Sequence, residues 1–263
     1  MGEILTDLST AALLSAIQAN AYAFFIRRER ILGKTITEEN DLTWVEGPNT
    51  APVVWLRELV AAEAAAACAA QTAKRLAGRG MSEVYLAVLE TGDARAAWKA
   101  AGACPIETEH VMVIALTGLE ESRPSVEGLT VERVTDEAGL RACAGVIAAG
   151  RDQWTAGFFQ LTNPPPVGQE QVRYYLGCIA GLPAATAVQF FEGGLGGIWW
   201  VTTVPEYRKR GLASDITRAA LVDALHLGYR AVMLESLPAA VPMFRRLGFK
   251  EYCRINVYRW KNA

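Results

Sequence analysis

Two stretches of the chain repeat one order of elements at a nearly constant offset, and that repeat restricts the fold more than any composition figure does. In the second stretch Gly228 precedes the β-rich run 231–236. A short helix pattern then leads to Phe244-Arg245-Arg246-Leu247-Gly248-Phe249, and a last strand runs through Val257. In the first stretch Gly80 precedes the run 83–90, a helix pattern leads to Trp98-Lys99-Ala100-Ala101-Gly102-Ala103, and a strand follows at 110–114. Gly80 and Gly228 stand 148 positions apart, Gly102 and Gly248 146. Glycine is the usual residue just past a helix, so one such match means little. The ordered series of helix, Gly, strand, helix, Gly, strand at one offset indicates a duplication.

The polar stretch 118–125, Gly-Leu-Glu-Glu-Ser-Arg-Pro-Ser, reads as a linker between the halves and sets the expected domains at 1–123 and 124–263. After it, residues 129–134 alternate at period two as a half-buried strand does, and 136–149 are amphipathic at helical spacing. Asn163-Pro164-Pro165-Pro166 is a loop, because proline cannot sit in a helix interior. Runs 174–179 and 184–191 read as strands joined by a turn at Gly181-Leu182-Pro183, and a third strand covers 198–204. The cluster Gly193-Gly194-Leu195-Gly196-Gly197 is followed by an aromatic strand and not by a helix, so it lacks the context of a dinucleotide fingerprint. It reads as a hairpin turn whose missing side chains leave room for a substrate at the sheet edge.

The 263 residues carry 26 basic and 28 acidic side chains, and 51% are hydrophobic. With a pI near 5.8 the chain lacks the basic surplus of a dedicated nucleic-acid binder. The Ala-rich run 60–73 contains Glu63 and falls short of the ~20 apolar residues a bilayer crossing needs. The start, MGEILTDLSTAALL, has no basic region ahead of an apolar run, and a Met1-Gly2 myristoylation site is not expected. Five cysteines with no C-x-x-C pair read as reduced thiols of a cytoplasmic protein. His110 and His226 offer no metal-ligand spacing, so no metal is expected.

Chemistry concentrates at Trp199-Trp200-Val201-Thr202-Thr203-Val204-Pro205-Glu206-Tyr207-Arg208-Lys209-Arg210-Gly211-Leu212-Ala213-Ser214. A β-branched strand stops at Pro205, which has no N–H for the ladder. A helix follows, marked by Leu212, Ile216, Ala219, Ala220 and Leu225 and ending before Gly228. The free N–H groups at such a helix start, aided by the dipole, make an anion site. Gly211 and Ala213 keep side chains out of the turn, and Arg208, Lys209 and Arg210 supply charge for a phosphate.

This segment closely resembles the signature of the GCN5-related N-acetyltransferases. Their R/Q-x-x-G-x-G/A loop is matched by residues 208–213, and the close at Leu247-Gly248-Phe249 fits as well. The resemblance covers roughly 129–260. It implies an α/β fold with a mixed, mostly antiparallel sheet flanked by helices, which the repeat places twice in tandem. It also implies an acyl-CoA donor, acetyl-CoA first. The amides of Arg208, Lys209, Arg210, Gly211, Leu212, Ala213 and Ser214 would hold the diphosphate, and Val201, Thr202 and Thr203 would flank the pantetheine. The acyl carbon would lie near the strand ending at Glu235-Ser236. A neutral amine of a small molecule would then attack the thioester directly, with a strand amide, first that of Val201, on the oxyanion. Glu235 is the first choice of base, with Glu206 and Asp152 as the others. Phe244 stands where many members carry the tyrosine that protonates the leaving thiolate, which keeps a non-catalytic acyl-CoA sensor as the alternative function.

Trp154, Phe158 and Phe159 precede the proline loop and are acceptor-pocket candidates, as are Trp199 and Trp200, one of which must face each side of a regular strand. In the first half a helix is expected over 53–76, and no R-x-x-G-x-A precedes it. Val54 and Trp55 stand where small residues would be needed, so this half reads as a degenerate copy that does not bind CoA. It would close the acceptor cleft or cover a sheet edge. Its alanines 64–67 allow a close helix contact, within the chain or in a homodimer.

Overall fold

The computed structural model describes residues 3–48, 50–121, 124–150 and 171–262. Two compact units are made from interleaved stretches of chain. One combines Met1–Asn20, Val113–Leu234 and Met243–Phe249; the other combines Ala21–Met112, Glu235–Pro242 and Lys250–Ala263.

In the first unit the sheet order is β10-β9-β8-β7-β6, with β6 at Leu129–Arg133, β7 at Val172–Ile179, β8 at Leu182–Glu192, β9 at Leu195–Thr203 and most of β10 (Ala231–Ser236). Successive strands from β6 to β9 are antiparallel, and β9 and β10 are parallel. Helix α4 (Glu137–Gly150) is capped by Asp136, whose carboxylate accepts the Gly139 N–H at 2.7 Å. It buries Leu140, Cys143, Val146 and Ile147, the stripe its sequence period requires. Helix α5 (Leu212–His226) buries Leu212, Ile216, Ala220, Leu221 and Ala224. Buried polar bonds tie it to the sheet. The Gln189 amide donates to the Ala220 carbonyl at 3.0 Å, and Arg173 and the Tyr175 hydroxyl both reach Asp223.

The hairpin at Gly193 and Gly194 forms as expected, both residues having positive φ. Its open space is not left for a substrate. A Cβ on Gly193 would lie 2.9 Å from the Ala16 carbonyl oxygen, and one on Gly194 would lie 2.7 Å from the Leu5 nitrogen. The chain's own N-terminal segment occupies the position, with the Leu5 amide bonded to the Gly194 carbonyl. Helix α1 (Thr10–Ile31) begins there, and its Asn20 donates to the carbonyls of Phe190, Glu192 and Leu195.

The second unit contains β1 (Thr35–Glu39), β2 (Leu42–Glu46), β3 (Val53–Ala61), β4 (Glu83–Thr91) and most of β5 (Ala103–Ala115), together with β11 (Lys250–Lys261). Its order is β1-β2-β3-β4-β11-β5. The C-terminal strand β11 therefore lies inside it, antiparallel to β4 from Arg254↔Glu90 to Lys261↔Glu83. The expected helix over 53–76 is corrected here: Val53-Val54-Trp55-Leu56 is buried strand, parallel to β4. A β-branched and aromatic run buried on both faces suits a central strand. Helix α2 (Ala65–Gly78) starts only after the three residues Ala62, Glu63 and Ala64. Its alanine face serves this unit, since Ala65 and Ala69 join Leu76, Trp98, Tyr258 and Trp260 in one core. Helix α3 (Arg95–Ala100) supplies that Trp98, stacked on Tyr258 at 5.3 Å.

Both units carry the unit strand, helix, parallel strand, as β3-α2-β4 and β9-α5-β10, each followed by a short helix and a last strand. The last short helix is α6 (Val241–Arg246).

Candidate acyl-CoA site

The order of pairing along β9 builds the site. Gly196, Gly197 and Ile198 pair with Val232, Met233 and Leu234 of β10, and the register between these parallel strands ends there. On its other edge β9 stays bound to β8, but three steps of β9 from Trp199 to Thr202 match two steps of β8 from Val188 to Thr186. The extra residue is a bulge at Trp200 and Val201, with Trp200 at φ +51°. β9 thus parts from β10 one residue before it bends, and the stretch 199–203 carries backbone groups along an edge without a β10 register. The bulge also corrects the expected alternation of Trp199 and Trp200, because an inserted residue breaks the period of two. Trp199 is 6% exposed, and Trp200 and Val201 are half-buried.

Beyond β9 the chain makes a 3₁₀ turn at Pro205–Tyr207 and then passes through two left-handed residues, Lys209 at φ +59° and Gly211 at φ +95°. Glycine fits the second without strain. Gly211 is the N-cap of α5 and no side chain caps the helix. Its carbonyl accepts the amides of Ser214 and Asp215 at 2.9 and 3.1 Å, so those of Leu212 and Ala213 precede the helical ladder. Residues 208–211 are exposed. The three cations do different work. Arg208 braces the loop, its Nε donating to the Thr203 carbonyl at 3.2 Å and its Nη2 to the Gly150 carbonyl. Arg210 lies over the Tyr207 ring at 5.1 Å, and Lys209 projects from the left-handed turn.

Thr202 is buried, its hydroxyl donating to the Trp200 carbonyl at 3.0 Å. A Cβ on Gly150 would stand 2.2 Å from the Thr202 methyl, so the end of α4 lies directly on β9. The Thr203 hydroxyl is buried with no partner among the described residues. Glu235 follows the last residue of β10 paired with β9 and is half-buried. Burial first, then the charges of Glu235 and Glu251, push the Cys253 thiol far up, so this cysteine is an inert core group. Glu206 is exposed on the 3₁₀ turn. Phe244 is 3% exposed and packs edge-on against Phe249 at 5.8 Å, which makes it a core residue. Asp152, Trp154, Phe158, Phe159 and the proline loop lie outside the described residues.

One group escaped the sequence reading. Asp215 is 4% exposed in the first turn of α5, where its Oδ2 accepts the amides of Ser125 and Val126 at 2.7 and 2.9 Å. An acidic residue at that position usually reads as a complement to the helix dipole, so the sequence carried no sign of the partner.

Residues 140–249, which span the loop, the bulge and the parting strands, match the model of the Acetyltransferase (GNAT) family. This stretch is a GNAT acetyltransferase domain. Solved GNAT structures extend the likeness along the chain. A GCN5-related N-acetyltransferase from Kribbella flavida aligns at TM-score 0.68 and 14% identity, covering 98% of both chains. One from Sphaerobacter thermophilus aligns at 0.58 and 16%, covering 96% of this chain and 93% of its own. A tandem GNAT protein from the clavulanic acid biosynthesis pathway aligns at 0.55 and 14%, covering 84% and 78%. At such identities the likeness is one of fold: a mixed, mostly antiparallel sheet flanked by helices. No curated protein sequence matches the chain. Among the described residues no helix is long and apolar enough to cross a membrane.

Proposed function

We propose that this GNAT acetyltransferase takes acetyl-CoA as donor and transfers the acetyl group to the amine of a small molecule. The observation that carries the reading is the parting of β9 from β10 just before the bulge, on the strand that leads into the 208–214 loop, exposed at 208–211. A thioester arm fits a strand edge that has parted from its parallel neighbour, and a diphosphate fits a helix start that no side chain caps. In this reading the amides of residues 209–213 hold the diphosphate, with Lys209 and Arg210 adding charge and Arg208 keeping the loop in place. Thr203, with its unpartnered hydroxyl, and Thr202 and Val201 flank the pantetheine. The acceptor's nitrogen forms the new bond to the carbonyl carbon, and the Val201 amide polarises the oxygen as it becomes an oxyanion. The C–S bond then breaks and the thiolate leaves, taking a proton from water because Phe244 has none to give. Glu235 receives the proton from the amine nitrogen.

The same reading takes 1–123 and 124–263 as two GNAT-like halves, of which only the second keeps the phosphate loop. It places the enzyme in the cytoplasm, in keeping with five free thiols. A second function, an acyl-CoA sensor without turnover, draws support from the burial of Phe244. Free-thiol release from acetyl-CoA in the presence of amines separates the two, because turnover with any amine excludes the sensor. For the site itself the test is thermal stabilisation by acetyl-CoA in wild type and Gly211→Glu. Position 211 needs φ +95°, and the new carboxylate would repel a phosphate. The shift is expected in wild type and absent in the variant; equal shifts in both would put the donor elsewhere.

A further inference from the structure

We propose that Asp215 is a positioning residue for the acyl-CoA diphosphate and acts by pinning Ser125 and Val126 against the 208–214 loop. This rests on the reading of that loop as the diphosphate site. An acidic residue in the first turn of a helix normally stabilises the dipole from an exposed position. Asp215 is instead buried, and three donors of one segment use its oxygens. The amides of Ser125 and Val126 reach Oδ2 at 2.7 and 2.9 Å, and the Ser125 hydroxyl donates to Oδ1 at 3.1 Å.

The pinned segment touches the loop at its most constrained residue. The Val126 Cγ2 atom lies 3.1 Å from where a Cβ on Gly211 would stand, so Val126 walls one side of the left-handed glycine. Gly211 is also the residue whose carbonyl starts the α5 ladder. Holding Val126 there restricts Gly211, and through it the direction of the Leu212 and Ala213 amides. By charge alone Asp215 works against a bound phosphate, since like charges near one helix start repel. Two opposite outcomes therefore follow from removing the charge without changing the shape. Positioning predicts weaker binding in Asp215→Asn, and simple repulsion predicts tighter binding.

The experiment measures the affinities of CoA and of pantetheine, which lacks the diphosphate, for the full chain. Asp215→Asn is expected to bind CoA about tenfold more weakly, the effect of charge-assisted hydrogen bonds lost or weakened, with pantetheine affinity unchanged. Ser125→Ala keeps both backbone bonds and is expected to lose roughly twofold. CoA binding as tight as wild type or tighter in Asp215→Asn overturns the proposal, as does an equal loss for CoA and pantetheine. Val126→Gly covers the case in which Asp215→Asn does not fold. It leaves the carboxylate alone and removes the wall, and unchanged CoA affinity in it overturns the proposal too. A wild type that binds no CoA overturns the acyl-CoA reading itself, whereas a wild type that binds CoA alongside an equally competent Asp215→Asn overturns only this one.

Discussion

The strand pairs β3/β4 and β9/β10 are both parallel, both interrupted by an irregularity in the first strand, and both joined through a helix. They differ in what happens after the interruption. In β3/β4 the register runs from Val53↔Tyr85 to Leu56↔Val88, shifts, and resumes at Val60↔Glu90 and Ala61↔Thr91. In β9/β10 it ends at Ile198↔Leu234 and does not resume. The connections differ in the same sense. Ala62, Glu63 and Ala64 take the first chain into α2 with Ala64 in right-handed conformation, while the second uses a 3₁₀ turn and two left-handed residues before α5. A bulge alone therefore does not keep two parallel strands apart, since β3 and β4 pair again beyond theirs.

What closes the first pair is visible at Glu90. This carboxylate has no solvent exposure, and it accepts hydrogen bonds from Asn256 Nδ2 at 2.7 Å and the Tyr258 hydroxyl at 3.0 Å, both on β11. Asn256 in turn accepts the Thr108 hydroxyl at 2.7 Å. Where the β9/β10 register ends at Ile198↔Leu234, this unit has a filled and bonded interior.

The sharpest way to break the comparison is to remove β11. A chain ending at residue 249 loses eight register pairs with β4 and six buried side chains, Cys253, Ile255, Asn256, Val257, Tyr258 and Trp260. It is expected to lose cooperative unfolding of the unit containing β1 to β4. Limited proteolysis reads this as cleavage within 21–112, and protection equal to wild type would show that β11 is dispensable.

A smaller effect is expected at Glu90→Gln. Burial raises the Glu90 carboxyl above its ordinary 4.5, outweighing the bonds from Asn256 and Tyr258. The folded state then holds this proton more tightly than the unfolded chain, so its contribution to stability falls as pH rises from 4.5 through the raised value. Glutamine does not titrate. The difference in thermal midpoint, variant minus wild type, should therefore become more positive between acid and neutral pH, and a pH-independent difference would refute the assignment.

The smallest effect concerns the loop. Lys209 holds φ +59° on an exposed turn, and glycine adopts that angle more easily. Lys209→Gly is expected to gain about 0.5 kcal/mol in chemical denaturation and, on the proposed diphosphate site, to weaken CoA binding by removing a positive charge. Unchanged CoA affinity would assign the attraction to the amides and Arg210 alone.

The backbone of the candidate segment was legible in the chain because its signals are local. Pro205 ends a strand, Gly211 marks a left-handed turn, and the helical spacing from Leu212 places α5. The hairpin at Gly193 was legible as well, but not what fills it, because the Leu5 contact lies far away in sequence. The stretch 53–76 misled for a related reason. Alanine-rich sequence from 65 onward has strong helix propensity, and the reading extended it back over Val53-Val54-Trp55, whose partner strand is set only by the fold. The bulge at Trp200 left no mark at all, since tryptophan is not a residue that advertises positive φ.

The position of β11 also bears on how the molecule comes into being. Tyr258 meets Glu90 across 168 residues of sequence, so during synthesis β4 leaves the ribosome long before its antiparallel partner exists. Throughout that interval the nascent chain resembles the truncated one, with an uncovered strand edge and a buried acid that has not yet met its donors. In the first unit β6 to β10 are nearly contiguous, and only the N-terminal segment, bonded through Leu5 and Asn20 to residues 190–195, waits comparably. β11 is therefore the last strand to be made, and the second unit the last to be completed.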